Sequence, residues 1–243
     1  MVHTQYAIRN TQYVISMNPN YAILSEKLRT HSSMKQFIHR NTIEKISFIK
    51  KQMSIMSAAL TNDVTAVDKN VEIVFYDRGE FEAELKFSGD SLVFAMHTNT
   101  FTFTDDHPIH KLPYVKEDPK RAYCGLIQIY NFLSDSIKYN RVYDYGYLIG
   151  RIFVNAENKF FIEGKDRLDF GLKDYHKQEF SDEVIEKIIS DSMLYCIDFE
   201  LLTPPFEQSS VITLEEKQLN HTSSGMSTRK RIGFEFRGEG KIE

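Results

Sequence analysis

Residues 71–103 read VEIVFYDRGEFEAELKFSGDSLVFAMHTNTFTF, and apolar and polar residues alternate through much of this stretch. The apolar residues of its middle segment are Phe81, Ala83, Leu85 and Phe87, and Glu82, Glu84 and Lys86 stand between them. A period of two places one set of side chains on a buried face of a strand and the other in water. Turn-forming residues interrupt the pattern at 77–80 and 88–90. The stretch therefore predicts three or four consecutive antiparallel strands, a β-meander, with Glu82 and Glu84 as solvated charges.

Two other stretches have the period of an amphipathic helix. Between residues 43 and 60 the apolar residues follow one another at steps of three or four: Ile43, Ile46, Ile49, Met53, Met56 and Leu60. This spacing predicts one apolar helix face. Upstream, residues 33–36 have the form of a capping box, which predicts that a helix begins there. Farther along, Ser181 is expected to cap a helix that buries Val184, Ile185 and Ile188.

The segment between residues 122 and 138 allows two interpretations. Its apolar residues Leu126, Ile129, Leu133 and Ile137 share a helical face, so a helix is predicted. Residues 126–130 also suit a strand, and periodicity alone does not separate the two. A hairpin is predicted from strands at 147–154 and 159–163. Further strands are predicted at 196–201, 211–214 and 232–236.

Strands that follow one another directly, with helices between the runs, favour an α+β class. The expected architecture is an antiparallel β-meander or curved sheet packed against about three amphipathic helices. One domain is expected to span residues 1–243, with residues 1–32 as an N-terminal arm that either packs or stays loose.

Composition narrows the classes of function. The chain of 243 residues carries a formal net charge of −4, and a protein that coats nucleic acid would normally be basic. No secretory signal and no bilayer-length apolar run is evident, so a cytoplasmic protein without membrane contact is expected. Nucleotide-binding glycine motifs are absent from the sequence, and no cofactor is expected. Cys124 and Cys196 lie in apolar stretches, which favours reduced, buried thiols.

Candidate metal ligands are concentrated between residues 97 and 110: His97, Asp105, Asp106, His107 and His110. Imidazoles and carboxylates of this kind could hold a zinc or iron ion. If the segment is extended, however, ten residues separate His97 from His107 by roughly 33 Å. A polar strand end followed by a surface loop is therefore the favoured interpretation.

A tyrosine-rich stretch, Tyr139 to Arg151, is the second candidate. Tyr143 and Tyr145 lie between the basic residues Arg141 and Arg151, and stacking aromatics beside cations hold single-stranded nucleic acids. A basic cluster at 229–231 could contribute to the same nucleic-acid binding. Tyrosines are equally typical of a corner between elements, with a buried ring and a wet hydroxyl.

Three functions remain open. The favoured one is a non-catalytic binding module that binds a partner protein or a small ligand against its sheet. The alternatives are a metal-dependent hydrolase that uses His97, Asp105, His107 and His110, and a single-stranded nucleic-acid binder that uses the stretch from Tyr139 to Arg151. A homodimer through an exposed edge strand is a further expectation. Whether the protein is an enzyme is left undecided by the sequence.

Overall fold

The computed structural model describes residues 19–199, 203, 206–211 and 213–214. Its α-helices are α1 (Pro19–Lys27), α2 (Ser33–Thr65), α3 (Pro113–Glu117), α4 (Ser134–Lys138), α5 (Asp182–Ile197) and α6 (Phe206–Ser209). The strands are β1 (Ile73–Asp77), β2 (Glu82–Phe87), β3 (Asp90–Phe101), β4 (Cys124–Leu133), β5 (Tyr147–Asn155) and β6 (Phe160–Gly164). These elements confirm the α+β class.

All six strands form one antiparallel sheet whose spatial order is the same as their order in the chain. Each strand pairs with the next, as in Phe75 opposite Leu85 and Leu85 opposite Leu92. The alternation around residues 71–103 therefore predicted the meander correctly. The turn between β2 and β3 is tight because Ser88 adopts a positive φ beside Gly89.

Helices α2 and α5 cover one face of the sheet, which we call the inner face. Alternate residues of β2, β3 and β4 are fully buried there beneath the apolar stripe of α2. Three residues of that stripe, Ile46, Ile49 and Met53, are completely inaccessible to solvent. Helix α5 begins where predicted, because the Ser181 hydroxyl accepts a hydrogen bond from the Val184 amide at 3.3 Å.

The N-terminal helix is longer than predicted. A π-helical turn, Leu28–Ser32, joins α1 to α2 without a break in helical backbone angles. The capping box prediction is wrong, because Ser33 lies inside the helix and its hydroxyl bonds back to the Leu28 carbonyl at 3.2 Å. Residues 19–32 are thus helical, and the side chains of 20–31 are exposed. The rest of the predicted arm lies outside the described residues.

Strand β4 replaces the helix predicted for residues 122–138, of which only α4 is helical. Both faces of this strand are covered: Ile127 and Ile129 lie on the inner face, while Cys124 and Leu126 lie on the other. A strand buried on both faces loses its polar alternation, so its apolar residues matched a helical spacing by chance.

Helix α5 also extends through Cys196 and Ile197, so the strand predicted at 196–201 is not formed by its described residues 196–199. Of the strand predicted at 211–214, the described residues 211, 213 and 214 are not extended in a sheet. The strand predicted at 232–236 and the basic cluster at 229–231 lie outside the described residues.

The opposite side of the sheet, the outer face, carries a second apolar core. The connections 102–123 and 165–180 fold over one end of β4, β5 and β6 and enclose Leu126, Phe153 and Phe161. Tyr175 closes this core, because its hydroxyl lies 3.2 Å from both the Cys124 thiol and the Arg121 carbonyl oxygen. The remainder of the outer face is formed by side chains of all six strands.

No helix among the described residues is long and apolar enough to cross a bilayer.

Both cysteines are free and buried, as predicted. Burial raises the pKa of the Cys124 thiol to about 12, and burial likewise raises the pKa of Cys196. An unfolded cysteine has a pKa of about 8.5. At a pH between the unfolded pKa and the folded pKa, the thiol is deprotonated in the unfolded chain but still protonated in the folded chain.

We therefore expect the free energy of unfolding to fall as the pH rises above about 8.5, by up to about 1.4 kcal/mol per pH unit for each thiol. Urea denaturation at pH 8, 9 and 10 measures this slope. A Cys124→Ala variant should lose stability less steeply than the parent over the same range. Equal slopes in the two proteins would contradict the assignment.

Candidate functional site

Two rows of side chains cross the part of the outer face that lies beyond the second core. Register places Glu84, Val93, Tyr130 and Leu148 opposite one another in one row, and Glu82, Ala95, Gln128, Arg151 and Glu163 in the next. Neither row belongs to a core cluster. Leu148 is 41% exposed and Tyr76, beside the first row on β1, is 37% exposed. We call these two rows with Tyr76 and Arg78 the open face.

Glu84 and Arg78 form the first ionic contact of the open face. The Glu84 side chain is only 4% exposed, and it accepts a hydrogen bond from Arg78 Nε at 2.7 Å. The Ser91 hydroxyl donates to its other oxygen at 3.0 Å. The Arg78 guanidinium also lies 4.7 Å from the centre of the Tyr76 ring. The prediction that Glu84 is a solvated charge is therefore wrong, because the turn before β2 brings an arginine over it.

The negative charge of the neighbouring Glu82 is less well balanced by its surroundings. Burial and the Glu84 carboxylate both raise the pKa of Glu82. It is half-buried on the open face rather than fully solvated. The open face thus carries charged groups whose positions are set by the sheet.

Arg151, Glu163 and His107 form the second ionic group. Arg151 Nη2 donates to Glu163 at 2.5 Å, and its guanidinium lies 5.4 Å from the Phe153 ring centre. His107 Nε2 lies 3.1 Å from the other Glu163 oxygen. The structure therefore joins two sequence-predicted residues, Arg151 and His107, through a carboxylate that the sequence did not single out.

The hydrogen bonds of His107 leave no ring nitrogen for a metal. Its Nδ1 accepts from the Ile109 amide at 3.2 Å, so the ring proton resides on Nε2 and is donated to Glu163. The imidazole also stacks on Phe103, with 4.4 Å between ring centres. His107 thus caps the 3₁₀ turn Pro108–Lys111 and ties it to β6.

The other proposed metal ligands do not gather around it. His97 Nδ1 accepts from the Asn99 amide at 3.0 Å, and the ring packs edge-on against Phe101. His110 Nε2 lies 3.4 Å from the Phe103 carbonyl oxygen. Across the described part of the chain, no group of three or more His, Cys, Asp or Glu side chains could hold a metal ion. The hydrolase hypothesis therefore stays a prediction from the sequence.

Asp105 and Asp106 are exposed in the turn that follows β3. A hydrogen bond from Thr104 lowers the pKa of Asp106. Local turn chemistry accounts for this shift, because the hydroxyl donor is two residues away.

Tyr143 and Tyr145 lie on the loop between α4 and β5, where they are 92% and 56% exposed. Gly146 fixes this loop beside the open face: a Cβ there would stand 2.2 Å from the Phe132 ring. Arg151 is bonded to Glu163 on β6, so the arginine predicted with the two tyrosines belongs to the ionic group of the open face.

Comparison of the chain with models of protein families, with curated proteins and with solved structures finds no match.

Proposed function

We propose that the chain is a non-catalytic binding module that holds a partner protein on its open face. The observation that carries this proposal is the arrangement of Arg78 and Arg151. Each guanidinium is bonded to a carboxylate and lies over an aromatic ring. Glu84, the carboxylate partner of Arg78, lies on β2, and Arg151 itself lies on β5. These two strands are three strand spacings apart, about 14 Å at the usual strand separation.

Held arginines of this kind favour binding for an entropic reason. An arginine that is already ordered loses little side-chain freedom when a partner docks, so less of the contact energy is lost. Arg78 uses Nε for Glu84, which leaves the Nη groups, in the described part of the chain, as donors toward a partner's acceptor oxygens. Arginine and tyrosine are also the residues most often found at energetic centres of interfaces.

The apolar part of the open face supplies contact area. Leu148 and Tyr76 are exposed, and Tyr130 is half-buried between them. Ala95 stands between Glu82 and Gln128 in the second row, where its short side chain lets a partner approach the sheet closely. A partner with apolar side chains flanked by carbonyl or carboxylate oxygens fits this pattern.

Photo-crosslinking in the cells that make the protein tests the proposal. We expect a benzophenone amino acid in place of Leu148 to form one discrete adduct with another protein, at least tenfold weaker when Tyr76→Ala is introduced. The matched control places the same amino acid at Val67, which is 90% exposed after α2 and outside the open face. No adduct at Leu148, or equal adducts from both positions, would overturn the proposal.

A further inference from the structure

A polar cavity of about 430 Å³ lies on the far side of the sheet from the open-face arginines, where α2 meets the bulged end of β3. Lys35, Gln36 and His39 line it from the helix, and Thr98, Asn99 and Thr100 line it from the strand. None of these six residues is acidic. The volume is within the usual range of small-molecule pockets, about 300–1,000 Å³.

The strand wall of the cavity is produced by an irregularity in pairing. His97 faces Leu126 and Phe101 faces Cys124, so three β3 residues, 98–100, stand opposite the single residue Gly125. The surplus backbone bulges out of the ladder. Thr100 then donates its hydroxyl to the Lys35 carbonyl oxygen at 3.3 Å, which ties the bulge to the helix.

The helix wall is held close to the sheet at the same level. A Cβ at Gly125 would stand 1.9 Å from Thr42 Oγ1, so α2 approaches β4 more closely there than any side chain on residue 125 would permit. Thr42 is fully buried. The two walls are therefore held together by the close contact of Gly125 with Thr42 and by the hydrogen bond from Thr100 to Lys35.

The helix wall carries one ammonium group, Lys35, and one imidazole, His39, which follows Lys35 by one helical turn. The Lys35 ammonium lies 6.0 Å from the centre of the Tyr123 ring, and the His39 ring packs edge-on against Phe81 at 6.2 Å. Opposite them the bulge offers the Thr98 hydroxyl and the Asn99 carboxamide as donors, since the Thr100 hydroxyl already donates to the Lys35 carbonyl.

We propose that this cavity binds a small molecule through a phosphomonoester group. The Lys35 ammonium, the His39 imidazole, the Thr98 hydroxyl and the two carboxamides can all donate hydrogen bonds, and a phosphate dianion has three terminal oxygens to accept them. A cavity without lining carboxylates does not repel that charge. Its volume exceeds the need of the phosphate alone, so the rest of a small metabolite fits beside it.

Isothermal titration of the full chain with adenosine monophosphate, glycerol phosphate and inorganic phosphate tests this inference, with adenosine and glycerol as the matched compounds without phosphate. We expect the phosphomonoesters to bind with a dissociation constant below about 1 mM and the matched compounds not to bind. Lys35→Ala should weaken binding at least tenfold. Lys51→Ala, which removes an exposed lysine from the same helix, should leave it unchanged.

His39→Gln provides a second variant in case Lys35→Ala lowers stability, and it too should weaken phosphomonoester binding. Absence of binding by every phosphate compound, or equal effects of the Lys35 and Lys51 variants, would overturn the inference. A single-stranded RNA of about twelve nucleotides that binds more tightly than the monophosphate, and also depends on Lys35, would replace the small molecule with a nucleic acid.

Discussion

Gly125→Ala is expected to destabilise the protein by about 3 kcal/mol, because β4 and α2 are in direct contact at this residue. The added Cβ would stand 1.9 Å from Thr42 Oγ1 and 2.9 Å from Thr42 Cβ. Thr42 cannot rotate away freely, since it is fully buried and its hydroxyl donates to the Ile38 carbonyl at 2.8 Å. The helix would have to lift from the sheet, and its apolar stripe would lift with it.

Urea denaturation followed by circular dichroism measures this loss. Gly89→Ala is the matched control: nothing lies within 4 Å of its ideal Cβ, so a change within about 0.5 kcal/mol is expected. Thr42→Gly removes the three atoms nearest to the new Cβ, although glycine inside a helix itself costs about 1 kcal/mol. The double variant should therefore be more stable than the sum of the two single losses predicts. Strict additivity would show that the contact is not the cause.

Phe160→Ala and Phe161→Ala are each expected to cost about 3–5 kcal/mol, yet they should loosen different parts of the molecule. These neighbours on β6 are both fully buried and point to opposite faces. Phe160 belongs to the inner core and packs on Phe180, at 4.5 Å between ring centres. Phe161 belongs to the outer core, between Phe153 at 5.0 Å and Tyr175 at 5.1 Å.

Hydrogen exchange resolved by peptide separates the two losses. Phe161→Ala should raise exchange chiefly in the connections 102–123 and 165–180, while Phe160→Ala should raise it chiefly in α5 and α2. Each variant serves as the control for the other, because residue type, burial and strand are the same. Identical exchange maps would contradict the existence of two separate cores.

The meander and the apolar stripe of α2 could be predicted because each has a single buried face. One-sided burial leaves a period in the sequence, two for β2 and between three and four for α2. Strand β4 has no such period, since Ile129 and Leu126 are buried on opposite sides of it. The helix at residues 19–32 lacked a buried face, so no pattern indicated it.

The candidate site was predicted only in fragments. The sequence indicated His107 and Arg151 only as separate candidate residues. The carboxylate that joins them, Glu163, is 56 residues from His107 in the chain. No local spacing records a contact across strands. Glu84 was misinterpreted for a different reason: alternation placed it on the outer face, but alternation carries no information on the turn geometry by which Arg78, six residues earlier, covers it.

The order of the sheet also has a consequence for synthesis. Every strand pairs with the one made just before it, so the sheet can extend as the chain leaves the ribosome. Helix α2 is made before every strand of the sheet, and the last strand that covers the inner core, β6, follows it by roughly a hundred residues, or about 5–20 s at ordinary synthesis rates. The inner core of the nascent chain is therefore incomplete for that interval, although α2 can already pack on the strands made before β6.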